Sequence, residues 1–218
     1  METLEQLREA VIDGQTAVAV EQTRRGLAEG IAAQTLFDDG LMAAMRRVGE
    51  LFEEGEVFVP EMLVASRAMT AALELLRPEL VAEGASTSGR VAIGTVMGDL
   101  HDIGKNLVAM MLQGNGFEID DLGTDVYPER FVQAVRDGAE VVAMSALLTT
   151  TMTNMKAVVD AIAEAGLRDG VGIVIGGAPI TQTFAEAIGA DGYARDASSA
   201  VRTVDAVLAG VRAGANGS

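Results

Sequence analysis

The chain has 218 residues, 49% of them hydrophobic and 22% charged, with a formal net charge of −16 and a mean hydropathy of +0.27. That apolar fraction is ample for a packed core in one large or two small domains, while the charge repels nucleic-acid phosphate and argues against such a partner. With no cysteine and one histidine, the chain has no disulfides, no thiolate chemistry and no His-rich zinc or iron site.

The first elements are helical. Leu41, Met45, Val48 and Phe52 recur at helical spacing, and so do Met62, Ala65, Met69, Leu73 and Leu76. Breaks fall at Asp13-Gly14, Glu29-Gly30, Glu54-Gly55 and Pro60, which predicts helices over 3–12, 15–29, 33–54 and 60–81. Four amphipathic helices with short connections make a bundle, assigned to a domain over 1–82. The small, polar stretch 83–89 reads as a linker. The acidic start of the chain, and the lack of any apolar run near the ~18 residues a span needs, predict no membrane partner, no secretory signal and a cytoplasmic setting.

From residue 90 to about 214 the pattern changes to short apolar runs alternating with helices. Strands are predicted at 91–96, 118–122, 141–145, 171–176 and 192–194. Helices are predicted near 104–115, 128–137, 152–166 and 181–188, with a last one marked by Val201, Val204, Leu208 and Val211. Such alternation builds a doubly wound, flavodoxin-like, five-stranded parallel sheet, whose ligands bind at the carboxyl ends of the strands.

Three segments fall at those ends. Gly98-Asp99-Leu100-His101-Asp102-Ile103-Gly104 follows the first strand and holds the single histidine. Asp99 stands two residues before His101, placed to hold one imidazole nitrogen while the other faces a metal or substrate; a solvated loop histidine is the plain alternative. Ser145, Thr149, Thr150, Thr151 and Thr153 form a hydroxyl run that exceeds what a helix N-cap needs, though Thr149 or Thr151 could serve as one. Gly176-Gly177 either makes a turn or clears space for a bulky ligand. No dinucleotide fingerprint or phosphate loop is present.

Together, Asp99-x-His101-x-x-Gly104, Ser145-x-Leu147 and Gly176-Gly177 resemble the signature of cobalamin-binding domains that hold the cofactor with its own base displaced. Upstream, the stretch from Arg47 through Phe52, Val59 and Met62 resembles the helical cap of methionine synthase and of stand-alone corrinoid methyl carriers. The resemblance covers residues 1–212 and implies a site. His101 would ligate cobalt, Asp99 would hold the other ring nitrogen, and Thr151 would hold Asp99, standing where methionine synthase carries Ser. Gly98, Leu100, Asp102, Ile103 and Gly104 would frame the lower face. Ser145, Leu147 and Thr149 would line the nucleotide tail, Gly176 and Gly177 would make room for it, and Ala197 would give a backbone contact. Phe52 and Val59, the latter in place of the more usual Leu, would cover the upper face, with Asp38 near an acidic cap position.

The resemblance implies a carrier of methyl groups on cobalamin, cycling between methylcobalamin and cob(I)alamin, and not by itself an enzyme. Its partners would be a substrate-specific methyltransferase, a second methyltransferase acting on tetrahydrofolate or a thiol, and a reductive activase. Three rivals fit less of the chain. A cobalamin-dependent sensor or regulator would add a DNA-binding region, for which there is neither basic charge nor length. A small subunit of an adenosylcobalamin mutase would share the second half but not the cap. A flavin-binding or structural α/β module matches single loops and not the three together.

Overall fold

The structure, a computed structural model, describes residues 2–82 and 88–215. The expected linker at 83–89 therefore lies outside the described residues except for its last two positions.

Helices α1 (Glu2–Ile12), α2 (Thr16–Ala28), α3 (Ala33–Thr35), α4 (Ala43–Glu54) and α5 (Val59–Ala82) come first. The single helix expected over 33–54 is interrupted: Leu36–Met42 is wound as a π-helix between α3 and α4. Buried Leu36 and Leu41 stand five residues apart, the step of a π-turn, and the helical repeat that starts at Leu41 does not cover it. Leu7, Val11, Leu36, Leu41, Met45, Val48, Met62, Met69 and Leu76 are wholly buried and make this unit's core. No helix among the described residues is long and apolar enough to cross a membrane.

The second part alternates β1 (Gly89–Val96), α6 (Ile103–Gly114), β2 (Phe117–Val126), α7 (Pro128–Arg136), β3 (Val141–Ser145), α8 (Asn154–Glu164), β4 (Gly172–Gly176), α9 (Gln182–Ile188), β5 (Gly192–Ala194) and α10 (Ala197–Ala215). The five strands are parallel in the order β2-β1-β3-β4-β5, with the reversal between β1 and β3. Val142, Met144, Ile173 and Ile175 pack with Phe131 of α7, Met155, Val158 and Ile162 of α8 and Ile188 of α9. The alternate positions face α10, and a Cβ on Gly172 would lie 2.3 Å from Val207.

β2 runs four residues beyond the expected 118–122. It is an edge strand, so its far half need not alternate apolar and polar residues. Its register also slips: Asp121 pairs with Ile93 and Val126 with Val96, five steps along one strand against three along the other. Such bulges re-aim side chains near the strand end.

The chain falls into two compact units. One holds the described residues up to 82 with Gln113–Gly116, and the other holds 88–112 and those from 117 on.

Candidate functional site

β1 ends at Val96, and the chain turns through Gly98, whose φ of 81° lies in the left-handed region that favours glycine. The turn delivers Asp99 into the protein and His101 toward the surface. Asp99 is completely buried, whereas the His101 side chain is 52% exposed.

A carboxylate out of water is costly unless its oxygens are saturated with donors. Asp99 is so saturated. Its Oδ2 accepts from the Thr151 hydroxyl at 2.6 Å, from Leu147 N–H at 2.8 Å and from Leu148 N–H at 3.3 Å. Its Oδ1 accepts from His101 N–H at 3.1 Å and lies 2.7 Å from His101 Nδ1. Burial on its own would push the Asp99 carboxyl up. The Thr151 hydroxyl, then Leu147 N–H and the two His101 donors, outweigh it and hold the group well below the usual carboxylate range.

The tautomer follows. An ionised carboxylate only accepts, so Nδ1 carries the ring hydrogen and Nε2 keeps its lone pair. Thr151 has a single hydroxyl hydrogen and a second acceptor, the Leu148 carbonyl at 3.0 Å. The same hydroxyl hydrogen can therefore point to either the Asp99 carboxylate or the Leu148 carbonyl.

Around the ring stand apolar side chains in the open: Leu100 is 73% exposed, Ile103 80%, and Leu147 and Leu148 43% each. Large apolar groups clustered at a strand-end loop mark a surface that something else covers. A Cβ on Gly104 would meet nothing within 4 Å, so the start of α6 is equally open. Asp102 is exposed and accepts from Asn106 Nδ2 at 3.1 Å. The arrangement offers one imidazole nitrogen as a lone-pair donor on a largely apolar surface. Among the described residues no three His, Asp or Glu side chains converge to hold a metal ion by themselves.

The other expected residues divide into two groups. Leu147 and Thr151 belong to the Asp99 network. Ser145 joins its edge: its hydroxyl is 3.2 Å from that of Thr95, which donates to the His101 carbonyl at 2.8 Å. Thr149 is exposed in the turn before α8. The capping explanation of the hydroxyl run finds no support, since Thr153 precedes α8 without a side-chain cap and donates to Thr150 O at 3.3 Å. The chain's own backbone requires Gly176 and Gly177 to be glycine. A Cβ there would lie 2.9 Å from Ala194 O and 1.9 Å from Ala146 O respectively. Ala197 is buried at the first position of α10. Phe52 and Val59 lie in the helical unit, half-buried on α4 and exposed at the start of α5. Neighbouring Phe58 is 63% exposed. Asp38 sits in the π-helix and accepts from Gln34 at 2.7 Å.

Sequence reasoning passed over Phe58 and five residues that hold the ligand loop. Thr95 has been described. Asn154 donates to Met97 O at 2.7 Å. Buried Lys105 donates to both carboxylate oxygens of Asp121 at 2.6 Å, fastening α6 to β2. Asp125 accepts from Gly98 N–H at 2.7 Å. The one available signal was the acidic cluster Asp120, Asp121 and Asp125 on a stretch that otherwise reads as strand and turn.

Known proteins similar to this chain are as follows. The family description "B12 binding domain" matches residues 89–202, and a second family of the same description matches residues 3–77. The trimethylamine corrinoid protein of Methanosarcina barkeri is 43% identical over 210 residues, covering 95% of this chain and 97% of that protein. The dimethylamine corrinoid protein of the same organism is 42% identical over 213 residues, covering 95% and 98%. Among solved structures, a chain of the methanol:cobalamin methyltransferase complex of Methanosarcina barkeri superposes with a TM-score of 0.85. It is 32% identical, over 96% of this chain and 80% of that one.

Proposed function

The chain belongs to the family of corrinoid proteins built on B12-binding domains, and from that membership we propose how its residues share the work of carrying a methyl group. It binds cobalamin and serves a methyltransferase system as the methyl-carrying component. When bound, the corrinoid supplies a cobalt centre that takes up a methyl group and gives it away.

The residues fit that cofactor on two counts. A half-exposed imidazole has its Nδ1 occupied by a buried carboxylate and its Nε2 lone pair free for a metal. Exposed Leu100, Ile103, Leu147 and Leu148 surround it, as a flat apolar ring system requires.

His101 would offer Nε2 to the cobalt, and this is the assignment on which the reading turns. Asp99 fixes the ring's tautomer and direction through Nδ1–H. Thr151 holds Asp99 by donating its hydroxyl hydrogen to Oδ2, with the Leu148 carbonyl as an alternative acceptor. Gly98, Asp102 and Gly104 shape the turn beneath the ring. Ser145 and Thr149 would line the nucleotide tail, Gly176, Gly177 and Ala197 would present backbone to it, and Phe52 and Val59 of the helical unit are the residues that the family likeness assigns to protecting the methyl group.

The protein works with a methyltransferase that loads it. We assign the unloading to a second methyltransferase acting on tetrahydrofolate or a thiol, and reactivation after oxidation to a reductive activase. The carrier completes no turnover alone. Relatives named for trimethylamine and dimethylamine make methylated amines the first donors to test.

The test is reconstitution with hydroxocobalamin under reducing conditions, followed by gel filtration and visible spectroscopy. One corrinoid per chain is expected, with the cofactor's own base displaced and a protein imidazole ligated. His101→Ala should retain some corrinoid and lose the imidazole-ligated spectrum. A wild-type spectrum in that variant would remove His101 from the metal.

A further inference from the structure

β2 has no direct part in ligating cobalt, yet its bulged end grips the loop that does. Asp125 is the only residue other than glycine with positive φ among the described residues, at 54°. In that conformation it makes two bonds on either side of one peptide. Its Oδ1 accepts from Gly98 N–H at 2.7 Å, and its own N–H donates to the Asp99 carbonyl at 3.0 Å. The left-handed backbone turns N–H and side chain toward the same stretch of chain, which ordinary strand geometry, pointing successive groups to opposite sides, would not do.

We propose that Asp125 is a positioning residue for the cobalt ligand: it clamps the Gly98–Asp99 backbone, so that Asp99 meets His101 Nδ1 and leaves Nε2 as the lone-pair nitrogen. The inference rests on the ligand role proposed for His101. Asp99 is held at both ends. Its carboxylate is fixed by donors at Leu147, Leu148 and Thr151, and its backbone is fixed by Asp125. Free the backbone end, and the carboxylate stays tethered to the β3–α8 turn while the loop carrying His101 shifts against it. Asp125 itself is exposed and adds nothing to the core, so replacing it leaves the fold in place.

Three variants separate backbone conformation from the acceptor atom. Asp125→Asn keeps both, because Asn carries a side-chain oxygen and tolerates positive φ. Asp125→Gly keeps the conformation and loses the acceptor. Asp125→Ala loses both. The first readout uses the corrinoid-free protein: labelled histidine gives one imidazole signal, since the chain has one histidine. Wild type and Asp125→Asn should show a single tautomer with hydrogen on Nδ1. Asp125→Gly should show a mixture of tautomers, and Asp125→Ala a larger share of the wrong one. The second readout is the imidazole-ligated fraction after reconstitution with hydroxocobalamin, which should fall about five- to tenfold as a ratio in Asp125→Gly, the scale of one lost hydrogen bond of ordinary strength.

A wild-type imidazole signal and spectrum in Asp125→Gly overturns the proposal. So does a variant that weakens corrinoid binding while leaving the corrinoid-free imidazole signal unchanged, because Asp125 would then touch the cofactor instead of setting the ligand. If wild type itself shows no imidazole-ligated spectrum, the ligand role of His101 fails, and this inference with it.

Discussion

Asp99 and His101 show how much chemistry can be placed on two residues by what surrounds them. The buried carboxylate is charged because five hydrogen atoms point at it, four of them from backbone N–H or hydroxyl groups that cannot leave without unfolding the loop. Changing it to asparagine does more than delete a charge. An amide NH2 turned toward Nδ1 makes that nitrogen an acceptor and moves the ring hydrogen to Nε2, the atom needed for the metal. Asp99→Asn should therefore bind corrinoid but lose much of the imidazole-ligated fraction, and shift its pH dependence, measured by visible spectra of the aquo and methyl forms. Thr151→Ala removes one donor from a buried charge, and thermal denaturation should register a loss of about 2 kcal/mol. Its spectral effect should follow that of Asp99→Asn more weakly, and Thr151→Ser should match wild type. A spectrum unaltered in both Thr151→Ala and Asp99→Asn would detach the buried network from the ligand. These residues were legible because aspartate two positions before the only histidine is a chemical pattern in a linear string. Thr95, Asn154 and Asp125 were not, because each reaches the loop only through strand pairing or a bulge, and none sits at a telling spacing.

At the scale of elements, α10 carries a testable device at its start. Asp196 Oδ1 accepts from Ser199 N–H at 2.8 Å, and the Ser199 hydroxyl accepts from Asp196 N–H at 3.0 Å, a reciprocal cap of orphan donors. Partial burial alone would push the Asp196 carboxyl up, but the Ser199 N–H and hydroxyl and the Arg195 side chain hold it below its ordinary value. A folded-state value below the unfolded one means that the carboxylate stabilises the fold above about pH 4 and that the contribution fades as pH falls through the lower, folded value. Asp196→Ala should cost about 1 kcal/mol at neutral pH. Asp196→Asn should cost little there and flatten the acid loss, as followed by urea denaturation at pH steps below about 4. An acid profile identical in wild type and Asp196→Asn would exclude this carboxylate as a contributor. Most elements here announced themselves by period and punctuation, the five strands within a few residues. The exceptions have physical causes. β2 outran its apolar run because an edge strand is solvated on one side, and the π-helix at Leu36–Met42 lies almost wholly ahead of the Leu41–Phe52 repeat that marks the helix.

Across the whole molecule, two B12-binding family matches tile both compact units, so the helical half is as much a part of the family as the sheet. That distinguishes the chain from a mutase small subunit, expected to share only the second half. If the helical unit shields the reactive face, Phe52→Ala should keep its corrinoid while the methyl-loaded protein photolyses a few-fold faster than wild type. Unchanged photolysis with full loss of cofactor would make Phe52 a folding residue instead. One feature of the sheet bears on when the protein becomes competent. Asp99 is made early in the chain, but three of its five donors, all those on Oδ2, lie 48 to 52 residues further on. Closing so long a loop is slow compared with forming a helix, and it cannot start until β3 and its following turn exist. A nascent chain that ends after β2 therefore carries an Asp99 whose Oδ1 has only its His101 donors and whose Oδ2 has none. On the ligand role proposed for His101, a fixed imidazole arrives late, with the pairing of β1 and β3.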